Sequence, residues 1–482
     1  MTRVLAVGSE IFPLLKTGGL ADVMGALPQA LKAAGVQATT VVPGYPAILS
    51  GLRNATAIYH FPDLFGGPAE VLRANAASLD LLVIDAPHLF ARQGNPYLGP
   101  DGKEWPDNGI RFAGLSAAAA AIGVGLVPGL SFDIVHAHDW QAALTPVYLA
   151  FHHGRRPGTV LTVHNLAFQG LYPATLFPRL GLPDSAFAMD GLEYHRHVSF
   201  LKGGLAMADR LTTVSPTYAR EITGEDNGMG LDGVLRHRAD VLSGILNGID
   251  DSVWNPATDD LIPNRYFRGR LGPRAANKTA LQQRLGLQES PGSLVIGVIS
   301  RLTSQKGLDM LLDQIPFLLA NDVQIALLGS GEPALEEAFT DAAAQHPGAV
   351  GCVIGYNEPL AHLIQAGSDA LLVPSRFEPC GLTQLCALRY GAIPVVARVG
   401  GLADSIIDAN EAALTAGVAT GIQFWPVEPL ALYEALRRMI SLWRNQPVWQ
   451  RMQRNAMATD VSWRGPAAHY TGLYESLMAG RA

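Results

Sequence analysis

The chain has 482 residues, a length that favours two or three domains over a single core. Hydrophobic residues make up 48% and charged residues 16%, which is typical of a well-buried globular protein and not of a disordered one. The formal net charge is −7 and no basic run is present, which argues against nucleic acid or an anionic membrane as the main partner.

Cysteine usage and hydropathy predict a cytoplasmic protein. The three cysteines, Cys352, Cys380 and Cys386, are too few for a disulfide framework and form no Cys-x-x-Cys pair. A reducing compartment is therefore favoured. No signal-peptide pattern opens the chain. The longest uncharged stretch, residues 113–130, is rich in alanine and broken by glycine and proline, which predicts a buried helix and not a membrane span.

The first forty-five residues show a strand, a loop, a helix and a second strand. The strand is Val4–Val7, the helical spacing runs from Gly19 to Ala34, and Gly35 is suited to end the helix. Another apolar strand follows at residues 38–45. This βαβ order predicts a parallel sheet.

The loop before that helix is a candidate phosphate site. It does not carry the Gly-x-Gly-x-x-Gly dinucleotide pattern but reads KTGG. Lys16 supplies a cation, and Gly18 and Gly19 allow a phosphate to approach the backbone closely.

Residues 55–92 are predicted to form strands and a hairpin, and a polar loop follows at residues 94–113. The loop is dense in glycine, proline, aspartate and asparagine and carries Tyr97 and Trp105. Two interpretations stay open, a lid or rim for a carbohydrate and a structured surface insertion.

Polar side chains come directly after the next two strands. FDIVHAHDW runs into His136, His138 and Asp139, and TVLTVHN ends at His164 and Asn165. A zinc site is disfavoured because no further ligands stand nearby at metal-like spacing. Ligands of α/β proteins bind at the carboxyl ends of parallel strands, so Asp139 and His164 are site candidates, although His164 could also be a packed core histidine.

A second run of β-α repeats begins after a junction near residues 245–260, where Asn247-Gly248 predicts a turn. A helix is expected at residues 278–285, and the tail at residues 461–478 is also expected to be helical. The chain is therefore predicted to be α/β, with two Rossmann-like doubly wound domains facing across a deep cleft.

The segment VPSRFEPCGLT, residues 373–383, joins a strand to a helix that begins near Gly381. A helix N-terminus suits a phosphate, and Glu378 can accept hydrogen bonds from sugar hydroxyls. Arg301 and Lys306, five residues apart in one loop, could both reach a pyrophosphate. No Asp-x-Asp pair is present to hold a divalent ion, so no metal is expected. The alternative is ordinary loops with surface charges.

The motifs together resemble one family, the bacterial glycogen synthases with the plant starch synthases. They are KTGGLADV, NPY, WPDN, HAHDWQAAL, TVHNLAFQG, LNGID, WNP, SRLTSQKGLD and SRFEPCGLTQL, in the family's order along nearly the whole chain. The resemblance implies a GT-B fold with an N-terminal domain at residues 1–250, a nucleotide-sugar domain at 251–458 and a returning helix at 459–482. It implies glucose transfer from ADP-glucose to the non-reducing end of an α-1,4-glucan with retention of configuration, without a cofactor.

The resemblance also assigns residues. It places Lys16 and Gly18 near the donor phosphates, Arg301 and Lys306 on the pyrophosphate, and Glu378 on the glucose hydroxyls. His164 would offer its backbone carbonyl to the glucosyl group. Further expected substrate-binding residues are Gly19, Tyr97, Asp139, Asn165, Asn247, Tyr356 beside the adenine, Cys380, Gly381, Leu382 and Thr383.

One position departs from many retaining GT-B enzymes, which carry a second glutamate eight residues after the first. Cys386 stands there, so no second carboxylate is expected. Three rival functions stay open: a transferase using UDP-glucose or another acceptor, a phosphorylase carrying pyridoxal phosphate, and a silent glucan-binding protein.

Overall fold

The computed structural model describes residues 1–481, and Ala482 lies outside the described residues. The chain divides into two compact units. The first unit comprises residues 1–247 and the chain from Trp463 onward, and the second comprises Gly248–Ser462. Among the described helices, none combines the length and the apolar character that crossing a bilayer requires.

The first unit is built on a mixed sheet in which most strands are parallel. Its strands are β1 (Arg3–Val7), β2 (Gln37–Pro43), β3 (Arg53–Phe61), β4 (Ala69–Ala76), β5 (Leu79–Asp85), β6 (Ile134–His138), β7 (Gly158–Val163), β11 (Arg210–Thr213) and β12 (Leu242–Gly244), and a small separate sheet contains β8 (Leu171–Pro173), β9 (Glu193–Tyr194) and β10 (His197–Ser199). The order across the large sheet is β12-β11-β7-β6-β1-β2-β5-β4-β3. The predicted parallel pairing of β1 with β2 and the predicted hairpin region are confirmed, with β3, β4 and β5 antiparallel.

Helices cover this sheet. They are α1 (Gly19–Ala33), α2 (Pro46–Gly51), α3 (Pro87–Phe90), α4 (Asn108–Gly123), α5 (Asp139–Ala142), α6 (Leu144–Ala150), α7 (Phe200–Met207), α8 (Pro216–Glu221) and α9 (Asp232–His237), with 3₁₀ turns at Ala174–Arg179, Asp184–Ala186 and Ala239–Val241. Gly35 has φ +84°, the left-handed conformation expected of the residue that ends α1. The predicted buried helix begins before residue 113 and ends at Gly123, where the chain turns through Gly125 at φ +91°.

The second unit is built on a parallel sheet. Its strands are β13 (Leu294–Leu302), β14 (Val323–Gly331), β15 (Val350–Ile354), β16 (Ala370–Val373), β17 (Ile393–Ala397) and β18 (Ile422–Phe424), in the order β15-β14-β13-β16-β17-β18. Its helices are α10 (Arg274–Arg284), α11 (Asp309–Leu319), α12 (Pro333–Gln345), α13 (Glu358–Gly367), α14 (Thr383–Tyr390), α15 (Gly400–Ser405), α16 (Glu411–Ala416), α17 (Pro429–Arg444) and α18 (Gln446–Ala456), with a 3₁₀ turn at Ser304–Lys306. If β13–β18 are numbered 1 to 6 in chain order, the order across the sheet is 3-2-1-4-5-6, which is the doubly wound arrangement.

The final helix, α19 (Arg464–Ala479), packs within the first unit. Tyr470 and Tyr474 are fully buried in a cluster with Val4 of β1 and Leu27 of α1. The hydroxyl of Tyr474 lies 2.7 Å from Nδ1 of His136, so the helix is tied to the sheet by a buried polar contact as well as by apolar packing.

A buried ion pair anchors the polar segment that opens the second unit. Asp259 lies 2.8 Å from Nδ1 of His362 and accepts a 2.5 Å hydrogen bond from the Tyr390 hydroxyl. The ring of Trp254 stacks on His362 with centroids 3.9 Å apart. Both charged side chains are nearly inaccessible to solvent. Burial acts to lower the pKa of His362, but the hydrogen bond that His362 donates to the Asp259 carboxylate helps to raise this pKa to about 8. The hydrogen bonds that Asp259 accepts from His362 and Tyr390 lower the pKa of Asp259.

Candidate functional site

In the second unit the candidate site follows from the strand order. β13 and β16 are neighbours, and the chain leaves them in opposite directions across the sheet, to β14 and to β17. A crevice forms at the carboxyl ends of two such strands, and ligands of doubly wound proteins bind there. The loop after β13 carries Lys306, and the loop after β16 carries Glu378. The sheet therefore brings together two residues that are far apart in sequence.

Lys306 and Glu378 are in direct contact. Nζ of Lys306 donates to Oε2 of Glu378 at 2.5 Å, and the Ser375 hydroxyl donates to the same oxygen at 2.8 Å. The two charged side chains are only 14% and 9% exposed. A carboxylate held this way has a fixed orientation, and its other oxygen remains able to accept hydrogen bonds.

The two loops are joined by further polar contacts around this pair. Arg376 donates to both carboxylate oxygens of Asp309 at 2.8 and 2.6 Å and to the carbonyl of Ser304 at 2.7 Å. Gln305 donates to the carbonyl of Phe377 at 3.2 Å. These bonds cross from one loop to the other, so the positions of the cation and the carboxylate are set together.

Close backbone approach at Gly307 makes this contact possible. Gly307 has φ +65°, and a Cβ atom added there would lie 2.2 Å from the carbonyl oxygen of Pro374. No side chain fits between the loops at this point.

Replacing Gly307 by alanine is expected to separate the two loops and lower kcat/KM on the order of 10²-fold, because small displacements of catalytic groups are costly. Gly286→Ala is the matched control, since Gly286 has φ +66° but nothing within 4 Å of an added Cβ. Both variants carry the same backbone strain, so steady-state kinetics isolates the clash. Equal kcat/KM in the two variants would show that the close approach is unimportant.

The remaining predicted residues of the second unit differ in their exposure to solvent. Cys380 is buried, Gly381 has φ +71°, and the side-chain amide of Gln384 donates to both of their carbonyls at 2.9 Å. Helix α14 begins at Thr383, directly after Leu382. These contacts fix the turn from which the first amides of α14 emerge.

Arg301 and Tyr356 are the exposed members of the predicted set. Arg301 makes a 3.5 Å contact with the Gln305 side chain, and Tyr356 is 75% exposed. The Tyr356 hydroxyl donates to Glu358 at 2.5 Å. Tyr356 follows β15, which lies two strands away from β13 in the sheet.

In the first unit β1 and β6 are neighbours from which the chain leaves in opposite directions, to β2 and to β7, and the predicted residues Lys16 and Asp139 follow these two strands. Lys16, in the loop after β1, pairs with Asp22 at 2.8 Å. Glu10 was not predicted, and its carboxylate accepts hydrogen bonds from the Thr17 amide at 2.5 Å and the Thr17 hydroxyl at 2.8 Å. Burial raises the pKa of Glu10 despite these bonds. Beside this loop, an added Cβ at Gly18 would meet nothing within 4 Å, and Gly19 is the first residue of α1.

Asp139 organises the turn after β7. It has φ +59°, an uncommon conformation for a residue with a side chain. Its carboxylate accepts hydrogen bonds from the backbone amides of His164 at 2.7 Å and Asn165 at 3.4 Å. Burial raises the pKa of Asp139 to about 7. The two strand ends that the sequence singled out separately are therefore linked by this side chain.

The histidines form a buried chain of contacts. Nδ1 of His138 lies 2.9 Å from Nε2 of His164, and the rings of His136 and His138 are 4.1 Å apart. His136 also contacts Tyr474 and the hydroxyl of Thr162. Burial lowers the pKa of His136 and of His164 to about 3, so both rings are neutral near pH 7. Within residues 1–481, no three His, Cys, Asp or Glu side chains are grouped to hold a metal ion.

Tyr97 and Asn247 complete the first unit's predicted residues. The Tyr97 hydroxyl lies 2.7 Å from Oγ of Ser9, and burial raises its pKa. Oδ1 of Asn247 is buried and has no hydrogen-bond partner among the described residues. A buried amide oxygen of this kind is expected to meet a polar partner, which a ligand hydroxyl can supply.

Some contributors were missed from the sequence. Ser375, Asp309 and Glu10 hold predicted residues or their loops in place. Ser375 and Asp309 lie in the motifs only as ordinary polar residues, and Glu10 precedes the KTGGLADV motif. The short spacing between Ser375 and Glu378 in one loop was the only signal that could have identified any of them.

The chain matches two family models. The starch synthase catalytic domain covers residues 3–237, and the glycosyl transferases group 1 model covers residues 293–441. Glycogen synthase of Rhodopseudomonas palustris strain HaA2 is 60% identical over 98% of each chain, and that of Methylocella silvestris is 57% identical over 99% of each.

Solved structures agree with these matches. The catalytic domain of starch synthase IV from Arabidopsis thaliana, bound to ADP and acarbose, is 31% identical with a TM-score of 0.90 and 99% coverage of both chains. Sucrose-phosphate synthase from Thermosynechococcus elongatus, at 16% identity, a TM-score of 0.59 and full coverage of both chains, shares the fold alone. The expected α/β, GT-B fold class is confirmed, and the chain belongs to the glycogen synthase family.

Proposed function

We propose that the chain transfers glucose from ADP-glucose to the non-reducing end of an α-1,4-glucan, with retention at the anomeric carbon. The observation that carries the proposal is the buried contact between Lys306 and Glu378 at the β13–β16 crevice, beside the start of α14. In a site for a nucleoside diphosphate sugar, a cation and a helix start would bind the diphosphate, and an oriented carboxylate would bind the sugar hydroxyls. Family membership supports this choice of donor and acceptor, and the structurally similar starch synthase IV is bound to ADP and acarbose.

Charge explains how the second unit would bind the donor. Lys306 and Glu378 neutralise each other, so the exposed guanidinium of Arg301 supplies the net positive charge that attracts a pyrophosphate. Lys306 can contact a phosphate oxygen while keeping its bond to Glu378, since an ammonium has three donors. The free amides after Gly381, at the start of α14, favour the same anion. Cys380, Leu382 and Thr383 line this turn, and Tyr356 is proposed to contact the adenine.

Glu378 is proposed to bind the glucose. One of its oxygens accepts bonds from Lys306 and Ser375, which leaves the other to accept bonds from sugar hydroxyls. Hydrogen bonds of a hydroxyl to a charged acceptor are strong, and they hold the ring in one orientation. In this role Glu378 acts on the donor sugar and not as a nucleophile.

For the first unit we propose roles in binding and charge stabilisation. The backbone carbonyl of His164 would face the developing positive charge at the anomeric carbon, and Asp139 holds that turn through the His164 amide. Lys16, Gly18 and Gly19 are proposed to bind donor phosphate. The polar side chains proposed to bind sugar hydroxyls are Tyr97, Asn165 and Asn247.

The proposed reaction is a same-face substitution. The bond between the anomeric carbon and the phosphate oxygen breaks, and the pyrophosphate end of ADP takes the electron pair. The acceptor 4-hydroxyl oxygen bonds to the anomeric carbon on that face and passes its proton to the departing phosphate. Buried Cys386 occupies the position of a second acid, so the proposal contains no protein nucleophile.

A product analysis tests this proposal. The chain is incubated with ADP-glucose and maltotriose, and the product is examined by mass spectrometry and proton NMR. We expect a tetrasaccharide whose new anomeric proton has the α configuration and whose new linkage is 1,4. A β signal, or release of free glucose alone, would contradict the proposed chemistry.

We also propose a cytoplasmic location. The three cysteines are free thiols in the structure, as expected for a reducing compartment.

A further inference from the structure

A groove on the second unit is lined by a different set of residues from the crevice that holds Glu378. It has a volume of about 750 Å³ and lies between the end of β18 and helix α17. Trp425 follows β18 directly and is 72% exposed. Tryptophan side chains are highly buried on average, and exposed apolar surface rimmed by polar residues is typical of interaction sites.

The groove carries several polar side chains that hydrogen bonds and ion pairs hold in place. The guanidinium of Arg438 contacts Asp408 and donates to the carbonyl of Gln423 at 3.2 Å. Gln423 in turn donates to the carbonyl of Ile406 at 2.9 Å. Arg437 and Glu434 form an exposed ion pair at 2.8 Å on the wall. The polar groups of the groove are therefore held by the protein before any ligand binds.

The charges of the groove cancel. Glu428 and Glu434 are balanced by Arg437 and Arg438, so the lining has no net formal charge. Such a lining exerts no net electrostatic attraction on a polyanion or an anionic membrane surface. The lining favours a neutral sugar, because carboxylate and guanidinium groups form hydrogen bonds with hydroxyls, and the flat apolar face of a pyranose stacks on an indole.

We infer that this groove binds an α-1,4-glucan chain, with Trp425 as its stacking surface. The inference rests on the proposed function, which gives the chain a polymeric neutral substrate. β18 is parallel to β17 and β16, so Trp425 lies on the same edge of the sheet as the Glu378 loop. A second contact with a long glucan raises the effective concentration of its chain ends, so the groove increases affinity for polymers and not for short acceptors.

Trp425→Ala tests the inference in two ways. In native gels containing glycogen, without any donor, we expect the full-length variant to lose most of the retardation shown by the parent. In transfer assays we expect about a tenfold rise in KM for glycogen, as for loss of one aromatic stacking contact, with unchanged kcat/KM for maltotriose.

The controls separate stacking from general effects of truncation. Trp425→Phe keeps an aromatic face and should retain most glycogen binding. Phe267→Ala removes another exposed aromatic side chain of the same unit, outside the groove, and should behave like the parent. Because Trp425 is exposed, the thermal midpoint of each variant should equal that of the parent.

Unchanged glycogen retardation in Trp425→Ala would overturn the inference. A changed oligomeric state in that variant, measured by light scattering, would also overturn it by assigning the groove to a protein partner. Failure of the proposed function gives a different result, since glycogen retardation is measured without ADP-glucose and does not depend on transfer.

Discussion

Replacing Lys306 by alanine is expected to lower kcat/KM for ADP-glucose by roughly 10²–10³-fold, the usual effect of removing one hydrogen-bond donor that stabilises charge in the transition state. The reason is twofold. The variant loses a cation that would stabilise the departing ADP. It also leaves Glu378 buried with Ser375 as its remaining contact, so the orientation of the carboxylate is no longer fixed.

Steady-state kinetics with matched variants separates these two effects. Lys32→Ala removes an exposed lysine in the last turn of α1 and should leave kcat/KM unchanged. If Lys306 and Glu378 act as one unit, the double variant Lys306→Ala/Glu378→Gln will be no slower than the slower single variant. Parental kcat/KM in Lys306→Ala would reject the phosphate role, and strictly additive losses would reject the joint action.

Replacing Asp259 by asparagine is expected to destabilise the chain by about 3 kcal/mol, since it removes one partner of a buried ion pair. For a unit of this size the thermal midpoint should fall by roughly 6–12 °C in calorimetry. Asp260→Asn is the matched control: the neighbouring carboxylate pairs with Arg265 on the surface, where such pairs contribute little. Equal midpoints in the two variants would contradict the anchoring role of Asp259.

The ion pair of Asp259 with His362 makes the free energy of unfolding depend on pH. The pKa of His362 is about 8 in the folded chain, above the ordinary value near 6.5 for an unfolded histidine. Its contribution of about 2 kcal/mol is complete below pH ~6.5 and is lost as the pH rises through about 8. The lowered pKa of Asp259 adds stability above pH ~4, which is lost on further acidification. Denaturant titrations should show the loss at high pH in the parent and not in Asp259→Asn.

Much of the fold could be predicted because local patterns determine it. The strand at Leu294–Leu302 is a long apolar run, and α1 ends where Gly35 adopts a left-handed conformation. The polar residues at strand ends, such as Asp139 and Glu378, were also identifiable, because the carboxyl ends of parallel strands are where such residues bind ligands.

The contacts between these residues could not be predicted. Strand order depends on how distant strands pair, and nothing local in β13 specifies β16 as its neighbour. The contact of Lys306 with Glu378 depends on that pairing, so the sequence showed two separate candidates and not one pair. The anchoring of Asp259 by His362 was missed for the same reason, since the segment around Asp259 has no regular pattern.

Transfer of labelled glucose to glycogen in the presence of a metal chelator tests the central claim most directly. The donor is ADP-glucose in one reaction and UDP-glucose in the other. We predict incorporation from ADP-glucose, little from UDP-glucose, and no effect of the chelator. Incorporation only from UDP-glucose, or none from either donor, would contradict the proposed function.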